Sequence, residues 1–167
     1  MVRKHRDYDN DYPSVTTILG VLRKIGLENW YKVNTIHFIN NEMSKAKIIG
    51  TQIHKAIEDL TNGVEVKFET EYNEEVMNVL RGFMKFKKDH PEIRMKLSEI
   101  KLTSESYKFN GTMDVLSEID GVPIIGDYKT GKAKEKDKPE IYDEYKTQVS
   151  AYCYLYNEVN NTNIDRA

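Results

Sequence analysis

The sequence predicts a mixed α+β protein in which a helical N-terminal half is followed by a small sheet and a final helix. Apolar residues follow helical spacing up to about residue 89, alternate as they do in strands between residues 94 and 129, and return to helical spacing after residue 143. The chain has 167 residues, of which 39% are hydrophobic and 31% are charged. This is the size and composition of one globular domain, so we interpret residues 1–167 as a single domain.

The N-terminal half contains the patterns of four helices. They are predicted at residues 15–26, 28–39, 42–60 and 74–89. Ser14 or Thr16 can cap the first helix, because a side-chain hydroxyl there can accept a backbone N–H of the first turn. Asn62-Gly63 follows the third helix and His90-Pro91 follows the fourth, and both pairs are typical of helix ends.

Three strands and one helix are predicted in the second half. The strands lie at residues 94–105, 107–119 and 122–129, and the helix lies at residues 143–159. Asp120-Gly121, between the second and third strands, is a strong signal for a two-residue hairpin turn. The order of elements therefore indicates a small sheet enclosed between helical segments.

This hairpin turn brings two aspartates together. With Asp120-Gly121 as the loop, Ile119 pairs with Val122. Asp114 then lies directly opposite Asp127 on the neighbouring strand. Cβ atoms in such a pair are about 4.5–5.5 Å apart, and two like charges at that spacing destabilise a hairpin unless a positive charge lies between them.

A cation can relieve this repulsion. Lys129 projects from the same face as Asp127 because side chains two residues apart in a strand share a face. Hard cations such as Mg²⁺ also prefer oxygen ligands of this kind. The sequence therefore predicts a site at the two aspartates and Lys129. In the alternative, a bulge at Pro123 shifts the register and turns the aspartates apart.

Two predicted helices carry further candidates. His54 and Glu58 lie four residues apart in 50-GTQIHKAIE-58 and share a helix face. The alternatives are a surface or core histidine and a helix-stabilising pair. Gln148 and Tyr152 lie one turn apart on the last helix. They fit polar contacts with a nucleic-acid backbone or with bases, or an aromatic helix face that packs on the sheet.

Composition excludes several classes of protein. A single cysteine, Cys153, excludes an internal disulfide framework and an all-cysteine iron–sulfur cluster, and it indicates a reducing cytoplasm. We find no secretion signal and no apolar run close to the roughly 20 residues of a membrane span. The net charge of −2 does not indicate a strongly basic nucleic-acid-binding surface, but it allows a local basic patch. The chain also lacks a P-loop, so it is not a helicase-nuclease by itself.

The candidate motifs occur in one order along residues 13–156. They are PSVTTIL, Gly50-x3-His54-x3-Glu58, Glu99, Gly111-Thr-x-Asp114, Asp127-x-Lys129-Thr-Gly and Gln148-x3-Tyr152. In content and order they resemble the RecB-like branch of the PD-(D/E)xK nuclease superfamily. The PSVTTIL opening and the compact size look most like phage exonucleases and the mitochondrial genome maintenance exonuclease group.

The resemblance implies a restriction-endonuclease-like core, with a small mixed sheet flanked by helices. It also implies residue roles. Mg²⁺ or Mn²⁺ would be bound by His54, Asp114 and Asp127, and Lys129 would be the catalytic lysine. Supporting or DNA-binding roles would fall to Gln148, Tyr152, Thr130 and Lys132, although the lysine-rich segment from Lys132 fits a solvated loop as well. Glu58 and Glu99 would lie behind the metal ligands or have structural roles.

The expected function is that of a metal-dependent DNA exonuclease in recombination, repair or phage DNA processing, without an iron–sulfur cluster. The alternatives are a structure-specific endonuclease or resolvase, and a non-catalytic DNA-binding module. The expected partners are single-stranded DNA or duplex ends and a recombination protein, with no membrane. We expect the protein in the cytoplasm of a bacterial, archaeal or phage-infected cell. Similar nucleases continue with a strand and more helix, so we also expect a minimal or C-terminally truncated domain.

Overall fold

The computed structural model describes residues 11–22, 24–66, 73–130 and 141–167. Its elements in chain order are α1 (Val15–Leu19), α2 (Ile25–Val33), α3 (Ile36–Thr61), α4 (Glu74–Asp89), β1 (Ile93–Ser104), β2 (Phe109–Ile119), β3 (Val122–Gly126) and α5 (Asp143–Asn160). The chain divides into a sheet unit, residues 1–21 and 91–167, and a helical unit, residues 22–90. The interpretation of residues 1–167 as a single domain stays a prediction.

The predicted α+β class with a small sheet is confirmed. The strand order is β1-β2-β3, and both strand pairs are antiparallel, whereas the resemblance implies a mixed sheet. A parallel contact is present as an isolated bridge between Ser14 and Asn110. The core of the sheet unit consists of buried apolar residues from α1, from all three strands and from α5, among them Val15, Ile100, Leu102, Met113, Ile125 and Leu155.

The predicted helix at residues 28–39 is divided between α2 and α3. Thr35 is extended (φ −72°, ψ 150°), and its hydroxyl accepts the backbone N–H of Phe38 at 3.4 Å. At the end of α2, the side-chain amide of Asn34 donates to the carbonyl of Trp30 at 2.8 Å. The polar side chains of Asn34 and Thr35 therefore end one helix and begin the next, although apolar residues continue at helical spacing.

Two other elements end earlier than predicted. Helix α1 ends at Leu19, and Gly20 is its C-cap. Strand β3 ends at Gly126, before the Asp127–Lys129 segment that the sequence assigned to it. The backbone N–H of Tyr128 donates to the side-chain carboxylate of Asp114. Because this N–H is used by a side chain, the backbone ladder between β2 and β3 does not continue through it.

The N-terminal PSVTTIL segment is attached to β2. The backbone N–H of Asn110 donates to the carbonyl of Pro13 at 2.9 Å. The side-chain amide of Asn110 donates to the carbonyl of Tyr12 at 3.0 Å, and its oxygen accepts the hydroxyl of Thr103 at 2.7 Å. Asn110 is completely buried, so these bonds fix the start of β2 four residues before Asp114.

Helix α5 lies very close to β2 at Gly111. A Cβ atom at this position would lie 2.6 Å from Leu155 Cδ1 and 3.0 Å from Tyr152 Cε1. Real Cβ atoms do not approach other atoms so closely, so a side chain here would displace the side chains of Leu155 and Tyr152 on the facing helix. The glycine of the Gly-Thr-x-Asp motif therefore allows the contact that brings α5 to the sheet.

The helical unit is built on α3 and α4, which contact each other. Their buried residues are Ile39, Ile53, Ala56 and Ile57 in α3 and Val76 and Leu80 in α4. The side chain of Asn73 caps α4 by accepting the N–H of Val76 at 3.0 Å. Helix α4 has the predicted bounds. Within the described ranges, no helix is long and apolar enough to cross a membrane.

We predict that Gly111→Ala lowers the free energy of unfolding by about 1–3 kcal/mol, because the added methyl group overpacks the contact with α5. Urea unfolding followed by circular dichroism measures this. Gly82→Ala in α4 is the matched control: a Cβ there meets nothing within 4 Å, and alanine is expected to stabilise the helix by about 0.5–1 kcal/mol. An unchanged urea midpoint for Gly111→Ala would contradict the close packing.

Candidate active site

The register of β2 and β3 leads directly to the two aspartates. The strands pair as predicted, up to Val115 opposite Gly126. Asp114 and Asp127 are the next residues on each side. Pro123 pairs within the same register, so the alternative with a bulge at that proline is wrong. The hairpin therefore delivers both aspartates to one end of the pair, at the point where the chain leaves β3.

Asp114 is nearly buried, with 7% of its surface exposed. Its Oδ2 atom accepts the backbone N–H of Tyr128 at 2.7 Å, which offsets part of the cost of removing a carboxylate from water. Burial of the Tyr128 ring, and then the nearby charge of Asp114, raise the pKa of the Tyr128 hydroxyl. This tyrosine is therefore protonated at neutral pH and is not a candidate base.

Asp127 contacts two polar side chains, one on each carboxylate oxygen. Its side chain is 6% exposed, and Oδ2 forms an ion pair with the ammonium of Lys129. Its Oδ1 accepts the side-chain amide of Gln148 at 3.0 Å, and the same amide nitrogen lies 2.8 Å from the hydroxyl oxygen of Tyr152. The predicted Gln148 and Tyr152 pair thus supports a carboxylate, and its contact with DNA stays a prediction.

Lys129 has a second neighbour that the sequence did not single out. Its ammonium nitrogen lies 5.4 Å from the ring centroid of Tyr145. Tyr145 precedes Gln148 by three residues on α5, so both project toward the same side of the helix. An aromatic residue one turn before Gln148 is the signal that could have identified it.

Glu99 lies beside Asp114 in the sheet. Ser98 pairs with Val115 and Ile100 pairs with Met113, so Glu99 stands opposite Asp114. A Glu99 carboxylate oxygen lies within 4.8 Å of one of Asp114. The backbone of Glu99 has a φ of 50°, a left-handed conformation that costs a non-glycine residue about 1–3 kcal/mol and is concentrated at functional sites.

The resulting arrangement has an excess of negative charge. Among the described residues, Asp114 and Glu99 offer carboxylate oxygens within 4.8 Å of each other. Asp127 is not in this group, and its two oxygens contact the ammonium of Lys129 and the amide of Gln148. Oxygen donors with surplus negative charge are the chemistry that binds Mg²⁺ or Mn²⁺. The carboxylates of Asp114 and Glu99 therefore suit a divalent metal, and the roles of Glu99 and Asp127 stay predictions from the sequence.

His54 and Glu58 lie on α3 in the helical unit, one turn apart as predicted. Both are partly exposed, and Glu58 Oε2 accepts the ammonium of Lys55 at 3.2 Å. That ion pair is with Lys55, so the helix-stabilising pair of His54 with Glu58 stays a prediction. Coordination of a metal by His54 stays a prediction from the sequence motif.

The last two predicted residues follow Lys129. Thr130 is exposed and lies outside any strand. Lys132 and the further lysines of that segment lie outside the described residues. A DNA contact for Thr130 or Lys132 stays a prediction.

Residues 65–166, more than half of the chain, match the family model described as the PD-(D/E)XK nuclease superfamily. The match includes Glu99, Asp114, Asp127 and Lys129, together with all three strands and α5. In the comparison with curated proteins, no sequence matches the chain significantly.

We predict that Glu99→Gly has opposite effects on stability and metal binding. Glycine adopts a left-handed backbone without strain, so the substitution should raise the free energy of unfolding by about 1 kcal/mol. Loss of the carboxylate should weaken Mn²⁺ binding by about 10–100-fold. Urea unfolding and isothermal titration calorimetry measure the two effects.

Asp120→Gly is the matched control, because Asp120 is also acidic and has a φ of 51° but lies in the hairpin turn. This variant should gain stability and bind Mn²⁺ like the wild type. Equal Mn²⁺ affinity in the wild type and in Glu99→Gly would rule out Glu99 as a ligand.

Proposed function

Because this chain belongs to the PD-(D/E)XK nuclease superfamily, we propose that it is a metal-dependent deoxyribonuclease that hydrolyses phosphodiester bonds, and that it works as an exonuclease. The observation that carries the proposal is the contact of Lys129 with Asp127, directly beside Asp114 in the strand register. These residues match the specified acidic and lysine positions in the superfamily's name: an aspartate, then an acidic residue and a lysine separated by one position.

The proposed metal ligands are Asp114, Asp127, Glu99 and His54. The first three supply oxygen atoms, which favours Mg²⁺ or Mn²⁺. His54 is included on the sequence motif alone, and its imidazole nitrogen suits Mn²⁺ better than Mg²⁺. When bound, such a metal lowers the pKa of a coordinated water and polarises the scissile phosphate.

The chain's own residues have separate tasks in this proposal. Lys129 is 36% exposed along its side chain, so its ammonium can meet a phosphate that arrives from solvent while it stays close to Asp127. There it would orient the attacking water and stabilise the charge that develops on the phosphate oxygens. Gln148 fixes one oxygen of Asp127, and the Tyr128 N–H fixes one oxygen of Asp114. Fixed ligand orientations reduce the reorganisation needed during reaction.

The finer assignments rest on the sequence motifs. Their order supports a RecB-like nuclease near the phage and mitochondrial genome maintenance exonucleases, with DNA ends as substrate. A role in recombination, repair or phage DNA processing, a recombination protein as partner and a cytoplasmic location are proposed on the same basis. The buried, free Cys153 is compatible with a reducing compartment.

Cleavage of end-labelled DNA tests the proposal. The substrates are linear single-stranded, linear double-stranded and circular single-stranded DNA, each with Mg²⁺, Mn²⁺ or EDTA. We expect metal-dependent release of short products from linear DNA and no cutting in EDTA. Lys129→Ala should lower kcat by about 10²–10³-fold, because it removes a positive charge at the developing charge of the transition state.

Lys108→Ala is the matched control. Lys108 also pairs with a carboxylate, Glu105, at 3.2 Å and lies 5.1 Å from the ring centroid of Tyr12, but in the β1–β2 turn. The Lys108→Ala variant should keep kcat within about 2-fold of wild type, because a surface ion pair contributes little energy. If circular DNA is cut as fast as linear DNA, the protein is an endonuclease and not an exonuclease. DNA binding without any metal-dependent cutting would replace it with a non-catalytic module.

A further inference from the structure

We propose that Tyr145 is a positioning residue, whose ring face holds the ammonium group of Lys129 beside Asp127. This inference rests on the proposed function, in which Lys129 takes part in phosphodiester hydrolysis. Tyr145 lies outside the motifs that the sequence singled out, and it acts here through Lys129 rather than on the substrate.

The distance supports a direct attraction. The Lys129 ammonium nitrogen lies 5.4 Å from the Tyr145 ring centroid, within the roughly 6 Å over which a ring attracts a cation through its quadrupole. The same nitrogen forms the ion pair with Asp127. The ammonium group therefore has a carboxylate and an aromatic ring as simultaneous neighbours.

The ring is itself held in place. Tyr145 is partly buried on α5, and its ring packs edge-on against Tyr142, with centroids 5.4 Å apart and an angle of 79° between the planes. Edge-to-face packing of this kind is a favoured arrangement of aromatic pairs. A ring fixed by the helix and by Tyr142 can restrict a lysine, whereas a mobile surface ring cannot.

Lys129 needs this restriction because the sheet does not hold its backbone. Strand β3 ends at Gly126, so Lys129 lies beyond the last residue pair of the sheet. Its flexible four-carbon side chain loses considerable rotamer entropy when the ammonium is fixed. The Tyr145 ring favours the Lys129 rotamers that keep the ammonium near Asp127. Less side-chain entropy is then lost when the transition state forms.

The test compares variants that keep or remove the ring. Tyr145→Phe keeps the ring and should hold kcat within about 2-fold of wild type. Tyr145→Leu removes it and should lower kcat about 10-fold with little change in KM, because substrate contacts are unaffected. Tyr154→Leu is the matched control on the same helix, since that ring packs against Tyr107 and Phe109 instead, and its kcat should match wild type.

A double-mutant cycle separates positioning from general loosening of α5. If Tyr145 acts through Lys129, then Tyr145→Leu should cost no further activity in a Lys129→Ala background. An additive 10-fold loss in that background would overturn the inference. Full kcat in Tyr145→Leu would overturn it as well, while leaving the nuclease proposal intact.

A second readout does not require cleavage. In the wild type, the ring current of Tyr145 should shift the Lys129 ε-methylene proton resonances upfield in NMR spectra, and the shift should persist in Tyr145→Phe and vanish in Tyr145→Leu. If the wild type cuts no DNA, the proposed function fails, and this shift alone decides whether Tyr145 holds Lys129. A shift that survives in Tyr145→Leu would overturn the contact in either case.

Discussion

The burial of the Asp127 carboxylate is the constraint on which the described site depends. A charged group with 6% of its side chain exposed is stable only with close polar partners. Those partners are Lys129 from the same loop and Gln148 from α5. Gln148 reaches the carboxylate from α5, which packs closely on β2 at Gly111, where the absence of a side chain leaves room for Leu155 and Tyr152.

Helix packing and site geometry are therefore parts of one arrangement. Tyr152 contributes to both: its ring is buried against the position of Gly111, and its hydroxyl contacts the amide of Gln148. A change that moves α5 will alter the orientation of Asp127 even if it touches no charged group. The sheet unit combines core residues and candidate site residues on the same helix, only a few residues apart.

The sequence predicted most of this unit because its determinants are local. Asp120-Gly121 specifies a two-residue turn, and that turn fixes the register that brings Asp114 and Asp127 together.

The predicted end of β3 was wrong because a side chain, Asp114, takes the backbone N–H of Tyr128. The strand that carries Glu99 was predicted, but its backbone conformation could not be, since a φ of 50° contradicts the preference of a glutamate in a strand. The break between α2 and α3 could have been predicted from Thr35, since a threonine can cap a helix. The apolar pattern that continues through this position pointed to an unbroken helix instead.

The link between Asn110 and the N-terminal segment also bears on the order of folding. The amide of Asn110 bonds to the carbonyl of Tyr12 across 98 residues of sequence, so closing this contact costs far more chain entropy than forming the β2–β3 hairpin. During synthesis, residues 12–15 leave the ribosome long before their partner strand exists. Val15, which is buried in the finished core, must stay in solvent through that interval. This segment, made well before its partner strand, is thus among the last to be packed, and in a growing chain it offers an early target to chaperones and proteases.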